Sequence, residues 1–208
     1  MYQLYALPGT CAKAIQVILR ELEQEFEVIV RNSRSNYLAI NPVGAVPALE
    51  TPDFILTEGA AILLHLLKQH PSALLPAEGT PSYAKAIENL MFANATMHPA
   101  YGRLFFIKAQ NIDAATRQQL LEAAASDISR LWGVVEQKLE RQPNDHSFLG
   151  GAGYSPADIL LTVYASWGAY FPVDIQIGPM AKRMMDNIKQ LPTFFDVLEV
   201  QETAHANS

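Results

Sequence analysis

The chain carries a single cysteine, Cys11, in the stretch YALPGTCAKAI. It follows the Pro8-Gly9 turn and stands where a helix begins. Free cysteines are usually buried and inert, but this position argues otherwise. At a helix start the dipole and the unpaired amides favour a thiolate, which predicts a reactive Cys11 with a pKa below the ~8.5 of a free thiol. No second cysteine follows in CAKA, so a C-x-x-C dithiol mechanism is excluded. No His/Cys cluster argues for a metal, and no G-x-G-x-x-G or Walker loop is present. Three other places bear polar chemistry. In NPVGAVPALE, Pro47 stands at the start of a strand, where proline is tolerated. In LTEGAAI, Thr57, Glu58 and Gly59 open a helix whose free amides attract an anion. Gly59 permits close approach, and Glu58 also suits the positive end of the dipole. In TMHPAYGR, His98 sits beside Pro99 and reads either as packing or a hydrogen-bond strut or as a catalyst. Arg103, one turn on, reads as a solvated or ion-paired arginine.

The elements that must hold these residues alternate at first. Residues 2–6 predict a strand. Ala12, Ile15, Ile18, Leu19 and Leu22 recur at helical spacing up to about Gln24, and residues 26–30 predict a second strand. The polar stretch 31–45 reads as a loop with one helical turn. Residues 46–50 and 54–56 flank Thr51-Pro52-Asp53 as a hairpin, and 57–69 form a helix. The order is β-α-β, loop, β-β-α. Near residue 71 the composition shifts to HPSALLPAEGTPS, a linker. Helices alone follow. Thr80-Pro81 caps a long helix to about Ala109 that Pro99 kinks. Asp113 caps a helix with the stripe Leu121, Ala124, Ile128, Leu131, Val135 and Leu139. Ser155-Pro156-Ala157-Asp158 is a capping box with an acid at its third position. Further helices are expected near 178–189 and 193–201, with a disordered tail. The class is therefore α+β: an N-terminal α/β domain over 1–72, a linker over 73–82 and an all-α domain over 83–208.

Composition narrows the function classes. A net charge of -6 and a pI near 5.3 argue against nucleic acid or an anionic membrane as partner. No apolar run approaches the ~20 residues of a membrane span. The N-terminus lacks the basic and apolar regions of a secretion signal. One cysteine fits a reducing cytoplasm.

Taken together, these segments resemble a thioredoxin-like domain followed by a helical domain, as in the cytosolic glutathione transferases. LPGTCAKAIQVILRE is similar to the first strand-helix segment of the bacterial beta class, whose cysteine falls on Cys11. NPVGAVPAL resembles the family's cis-proline segment, LTEGAAILLHL its glutathione-binding helix start, and YSPADILLTVYASW the capping box of its second domain. ATMHPAYGRLF resembles the bacterial helix that lines the substrate cleft.

The resemblance implies a glutathione-dependent transferase that acts on electrophilic small molecules, as in detoxification, or on glutathione mixed disulfides. Glutathione would be the cosubstrate, with no metal. It implies that Val46 pairs with the cysteinyl backbone of glutathione, with Pro47 cis. Glu58 and the Gly59 amide would hold the γ-glutamyl end, Cys11 and Thr10 would lie at the sulfur, and His98 would reach the cleft. It further implies a cytoplasmic homodimer. Tyr5 and Thr10 are rival activators, because a hydroxyl can donate to the glutathione thiolate. Met97, Tyr101, Phe105 and Tyr164 are cleft candidates that also suit a core.

The sequence departs from the family pattern in places. Ala12 stands where a serine is common, and Met91 where some members place an asparagine. The 31–41 loop has no lysine, which leaves Arg31 or Arg34 for the glycyl carboxylate. A non-catalytic module of the same fold is the alternative function, and intact Val46-Pro47, Glu58 and Gly59 count against it.

Overall fold

The computed structural model describes residues 1–31, 36–143 and 146–197. It divides into two compact units, residues 1–75 joined by residues 189–197, and residues 76–188.

In the first unit, β1 (Tyr2–Ala6), α1 (Ala12–Glu21) and β2 (Phe26–Val30) make the βαβ start. β3 (Ala48–Glu50), β4 (Ile55–Thr57) and α2 (Gly59–Gln69) complete it. The sheet order is β2-β1-β3-β4. β1 runs parallel to β2 with Leu4 opposite Val28, and β3 is antiparallel to both β1 and β4. α1 packs on β1 and α2. Its apolar face, Ala12, Ile15, Ile18 and Leu19, is buried together with Leu4, Leu49, Ile62, Leu63 and Leu66. The expected end near Gln24 comes earlier. Glu23 adopts a left-handed φ of 53°, and the amides of Glu23 and Gln24 turn back to the carbonyls of Arg20 and Leu19. This is a Schellman stop with glutamate in the usual glycine position. The expected turn in the 31–45 loop is a 3-10 helix at Tyr37–Ala39.

Residues 189–197 return to this unit, although the sequence division keeps them with the helices. Phe194 and Val197 are buried, the Lys13 ammonium lies 4.1 Å from the Phe194 ring centroid, and Thr193 hydrogen-bonds Glu21. The tail expected to be disordered, and the end of the 193–201 helix, lie outside the described residues.

The second unit is helical: α3 (Pro81–Met91), α4 (His98–Ala109), α5 (Ala114–Glu140), α6 (Pro156–Ser166) and α7 (Pro179–Lys189). Each expected cap forms. Thr80 Oγ accepts from the Tyr83 amide at 3.1 Å and Asp113 Oδ1 from the Thr116 amide at 3.0 Å. The long helix ending near Ala109 is interrupted by a π-helical segment, Phe92–Met97, just before His98-Pro99. Pro99 has no N–H for the ladder and its ring crowds the preceding turn, so the backbone widens there. The α5 stripe is buried from Leu121 to Leu139. This is the α+β architecture expected, a thioredoxin-like unit followed in sequence by an all-α one. No described helix is long and apolar enough to cross a membrane.

Candidate functional site

The site grows out of the turn after β1. The Thr10 amide closes a turn onto the Leu7 carbonyl, with Gly9 at a φ of 72° that suits glycine. The chain enters α1 at once, and Cys11 becomes its cap residue. Across from it the Val46-Pro47 peptide is cis. Cys11 Sγ lies 3.8 Å from the Val46 carbonyl oxygen. The Glu58 carboxylate is also felt at this thiol, where its charge opposes ionisation. Three segments separated in sequence by up to 47 residues, at Cys11, Val46 and Glu58, therefore meet electrostatically in one place.

The protonation state of Cys11 corrects the sequence expectation. Burial pushes its pKa up to about 11. The amides of Cys11 and Ala12 pull it down as expected of a helix start, but by less than burial raises it. The residue keeps partial exposure as a whole, yet its sulfur is largely withdrawn from water. Cys11 is a neutral thiol at pH 7, able to donate a hydrogen bond.

Both rival hydroxyls have committed their protons. Thr10 Oγ1 donates to the Leu7 carbonyl at 2.7 Å. Tyr5, buried in a cluster with Tyr37 and Ala48, donates to Glu50 Oε2 at 2.5 Å. The thiol of Cys11 makes the weaker and longer of these contacts and is the easiest to redirect.

Glu58 caps α2 without using its side chain, which is exposed. Its φ is 69° and its ψ 115°, a region that costs a non-glycine residue on the order of 1–3 kcal/mol. Glycine would relieve that cost, so the carboxylate is held there against local preference. Gly59 begins α2, and its N–H belongs to the first turn, which the helix ladder leaves unpaired.

His98 lies in the second unit at the start of α4. Its ring stacks on Tyr164 with centroids 5.0 Å apart and tilts over Trp167 at 5.3 Å. Met97, Tyr101 and Tyr164 are core residues, each no more than 1% exposed, whereas Phe105 is 41% exposed. Arg103 pairs with Asp127 at 2.9 Å. Arg31 places its guanidinium 5.5 Å from the Tyr37 ring centroid, while Arg34 lies outside the described residues. Among the described residues, no group of three or more His, Cys, Asp or Glu side chains is gathered to hold a metal ion.

Sequence reasoning missed Tyr37, Asn41 and Glu50. Asn41-Pro42 was a visible signal, since asparagine before proline favours a turn, but nothing local announced its acceptor.

Comparison with known proteins gives the family. The family model of the glutathione S-transferase N-terminal domain matches residues 4–77. A glutathione S-transferase of Xanthomonas campestris, GST-4.5, is 32% identical over 178 residues, covering 83% of this chain and 85% of the relative. The glutathione S-transferase of a sphingomonad, solved in complex with glutathione, superposes with a TM-score of 0.82 at 29% identity, over 96% of this chain and 98% of that one. The beta-class enzyme of Sphingomonas chungbukensis gives 0.80 at 28% identity, over 96% and 98%. The chain belongs to the glutathione S-transferase family. Within it, the chain is a glutathione-dependent transferase similar to the bacterial beta class.

Proposed function

We propose that this transferase binds glutathione along the Val46 backbone, with the cosubstrate's sulfur beside Cys11, and conjugates it to a small electrophile. The observation that carries this reading is the 3.8 Å approach of Cys11 Sγ to the Val46 carbonyl beside a cis Pro47. A ligand cysteine anchored at Val46 brings its own sulfur to that thiol. Glu58 would meet the ligand's ammonium and the Gly59 amide its γ-glutamyl carboxylate. Arg31 or Arg34 would meet the glycyl carboxylate. Pro47 is buried and shapes the floor, and Thr10 fixes the turn through Leu7.

In this reading Cys11 acts as a hydrogen-bond donor. A neutral thiol turned from the Val46 carbonyl onto the glutathione sulfur stabilises its thiolate, which then attacks the electrophile, forms the new C–S bond and expels the leaving group. His98 is proposed as a catalytic residue, and a homodimer in the cytoplasm as the working state.

Two measurements test the reading. Retention on immobilised glutathione, followed by turnover of an aryl halide, tests binding and conjugation together, and a folded protein that shows neither would be the non-catalytic module. For Glu58, the Glu58→Gln variant is expected to bind glutathione more weakly by about 1.5–3 kcal/mol, the usual worth of a charge-assisted contact. Its thermal midpoint should barely move, because the side chain is exposed. Unchanged affinity by calorimetry would remove Glu58 from the site.

A further inference from the structure

We propose that Tyr37 and Asn41 are positioning residues for glutathione, jointly clamping the Ala45 carbonyl so that the Val46 N–H is presented to the ligand. The inference rests on the reading of Val46 as the anchor. Tyr37 Oη donates to the Ala45 oxygen at 2.7 Å, and Asn41 Nδ2 donates to the same oxygen at 2.8 Å. Two donors fill both lone pairs of that carbonyl.

The Ala45-Val46 peptide is trans, since the cis bond falls one residue later. A planar trans peptide points its C=O and N–H in opposite directions. Fixing the oxygen toward Tyr37 and Asn41 therefore aims the Val46 N–H the other way. Among the described residues that N–H finds no acceptor.

The Gly44 amide also donates to the Asn41 carbonyl at 2.8 Å, and Val46 packs against the cluster of Tyr5, Tyr37 and Ala48. Pro42, Val43 and Ala45 are exposed, and the strand ladder begins only at Ala48. The two clamping side chains are themselves well fixed. Asn41 is 4% exposed and its Oδ1 accepts from the Val43 amide at 3.1 Å. Tyr37 packs on Tyr5 with ring centroids 5.7 Å apart. Burial raises the Tyr37 pKa above its ordinary value, against the opposing effects of Asn41 and Arg31, so its hydroxyl stays a donor at neutral pH.

The test uses two variants that each delete one donor, Asn41→Asp also setting a carboxylate oxygen against the Ala45 carbonyl. Tyr37→Phe keeps the ring in its cluster. Asn41→Asp keeps the oxygen that the Val43 amide needs. Steady-state conjugation of an aryl halide, with glutathione and halide varied in turn, is expected to show KM for glutathione rising about three- to tenfold in Tyr37→Phe, the usual worth of one neutral hydrogen bond, and by at least as much in Asn41→Asp. The KM for the halide and kcat should stay within twofold of the parent protein. Calorimetry with S-methylglutathione, which binds without reacting, should show the same loss. Unchanged KM for glutathione in a folded Tyr37→Phe protein overturns the proposal. So does a fall in kcat that accompanies a lowered thermal midpoint, since that marks a merely structural role. If Asn41→Asp does not fold, Tyr37→Phe decides alone. If the parent protein itself does not bind S-methylglutathione, the reading of the Val46 anchor fails along with it; if the parent binds and the variants bind equally well, only the clamp fails.

Discussion

Alkylation of Cys11 in the folded, ligand-free protein at pH 7 is expected to be roughly a few hundredfold slower than that of a peptide thiol. The attacking species is the thiolate. With a pKa near 11, against about 8.5 for a free thiol, the ionised fraction at neutral pH falls by that order. The rate should climb about tenfold per pH unit from 7 to 10, and unfolding in urea should restore ordinary reactivity. The same shift links stability to pH. The folded protein holds this proton more tightly than the unfolded chain, so the contribution is complete below the ordinary thiol pKa and is lost as pH rises through about 11. Fast, pH-independent labelling at pH 7 would show that the amides of Cys11 and Ala12 win over burial after all.

The donor role has a matching signature in variants. Cys11→Ala should lower kcat/KM for conjugation by about tenfold or more, because a hydrogen bond to a charged sulfur is lost. Cys11→Ser should recover part of it. The sequence offers Tyr5 and Thr10 as rival supports for the glutathione thiolate. Their protons are bound to Glu50 and Leu7, which removes that support. Reduction of a glutathione mixed disulfide would need Cys11 as an attacking thiolate and should be abolished by both substitutions.

Asp158→Ala is expected to destabilise the protein by about 2–4 kcal/mol, read as a shift in the urea midpoint with an unchanged slope. Asp158 is fully buried. Its Oδ1 accepts from the Leu149 amide at 2.8 Å, and its Oδ2 accepts from the Ser155 amide at 2.8 Å and the Ser155 hydroxyl at 2.6 Å. Removing the carboxylate orphans two buried amides, each costing about 1–3 kcal/mol, and deletes half of the α6 capping box. Burial raises the pKa of Asp158 above its ordinary value, so relief from holding a charge in the interior offsets part of the loss. Asp158→Asn should also destabilise, because its NH2 would face the Ser155 amide, donor against donor. A variant within 0.5 kcal/mol of the parent would show that α6 starts without its box.

Local chemistry was legible at the helix caps and in the first turn, although the bonds of Thr10 to Leu7 and Asn41 to Ala45, three and four residues apart, were not read. The Thr80, Asp113 and Ser155/Asp158 caps, the α5 stripe and the Pro8-Gly9 turn rest on contacts a few residues apart, and each forms as read. Asp158 already shows the limit. Its hold on Ser155 was readable, but its bond to the Leu149 amide was not. Gly178 stands at the start of the helix expected near 178–189. A Cβ there would lie 2.3 Å from the Glu136 side chain, whose carboxylate accepts from the amides of Met180 and Ala181. Only a contact spanning 42 residues explains that glycine.

By itself the sequence determined that a thiol stands at a helix start, that a proline opens the third strand and that Glu58-Gly59 opens the second helix. Periodicity, capping and turn chemistry are local, and they set the elements in order. The tertiary structure alone decided what those residues can do. It made Cys11 a neutral donor and tied the Tyr5 hydroxyl to Glu50, 45 residues on. A pKa and a free hydrogen-bond donor depend on how much water remains around an atom and which atoms surround it, and that is set by segments far apart in the chain.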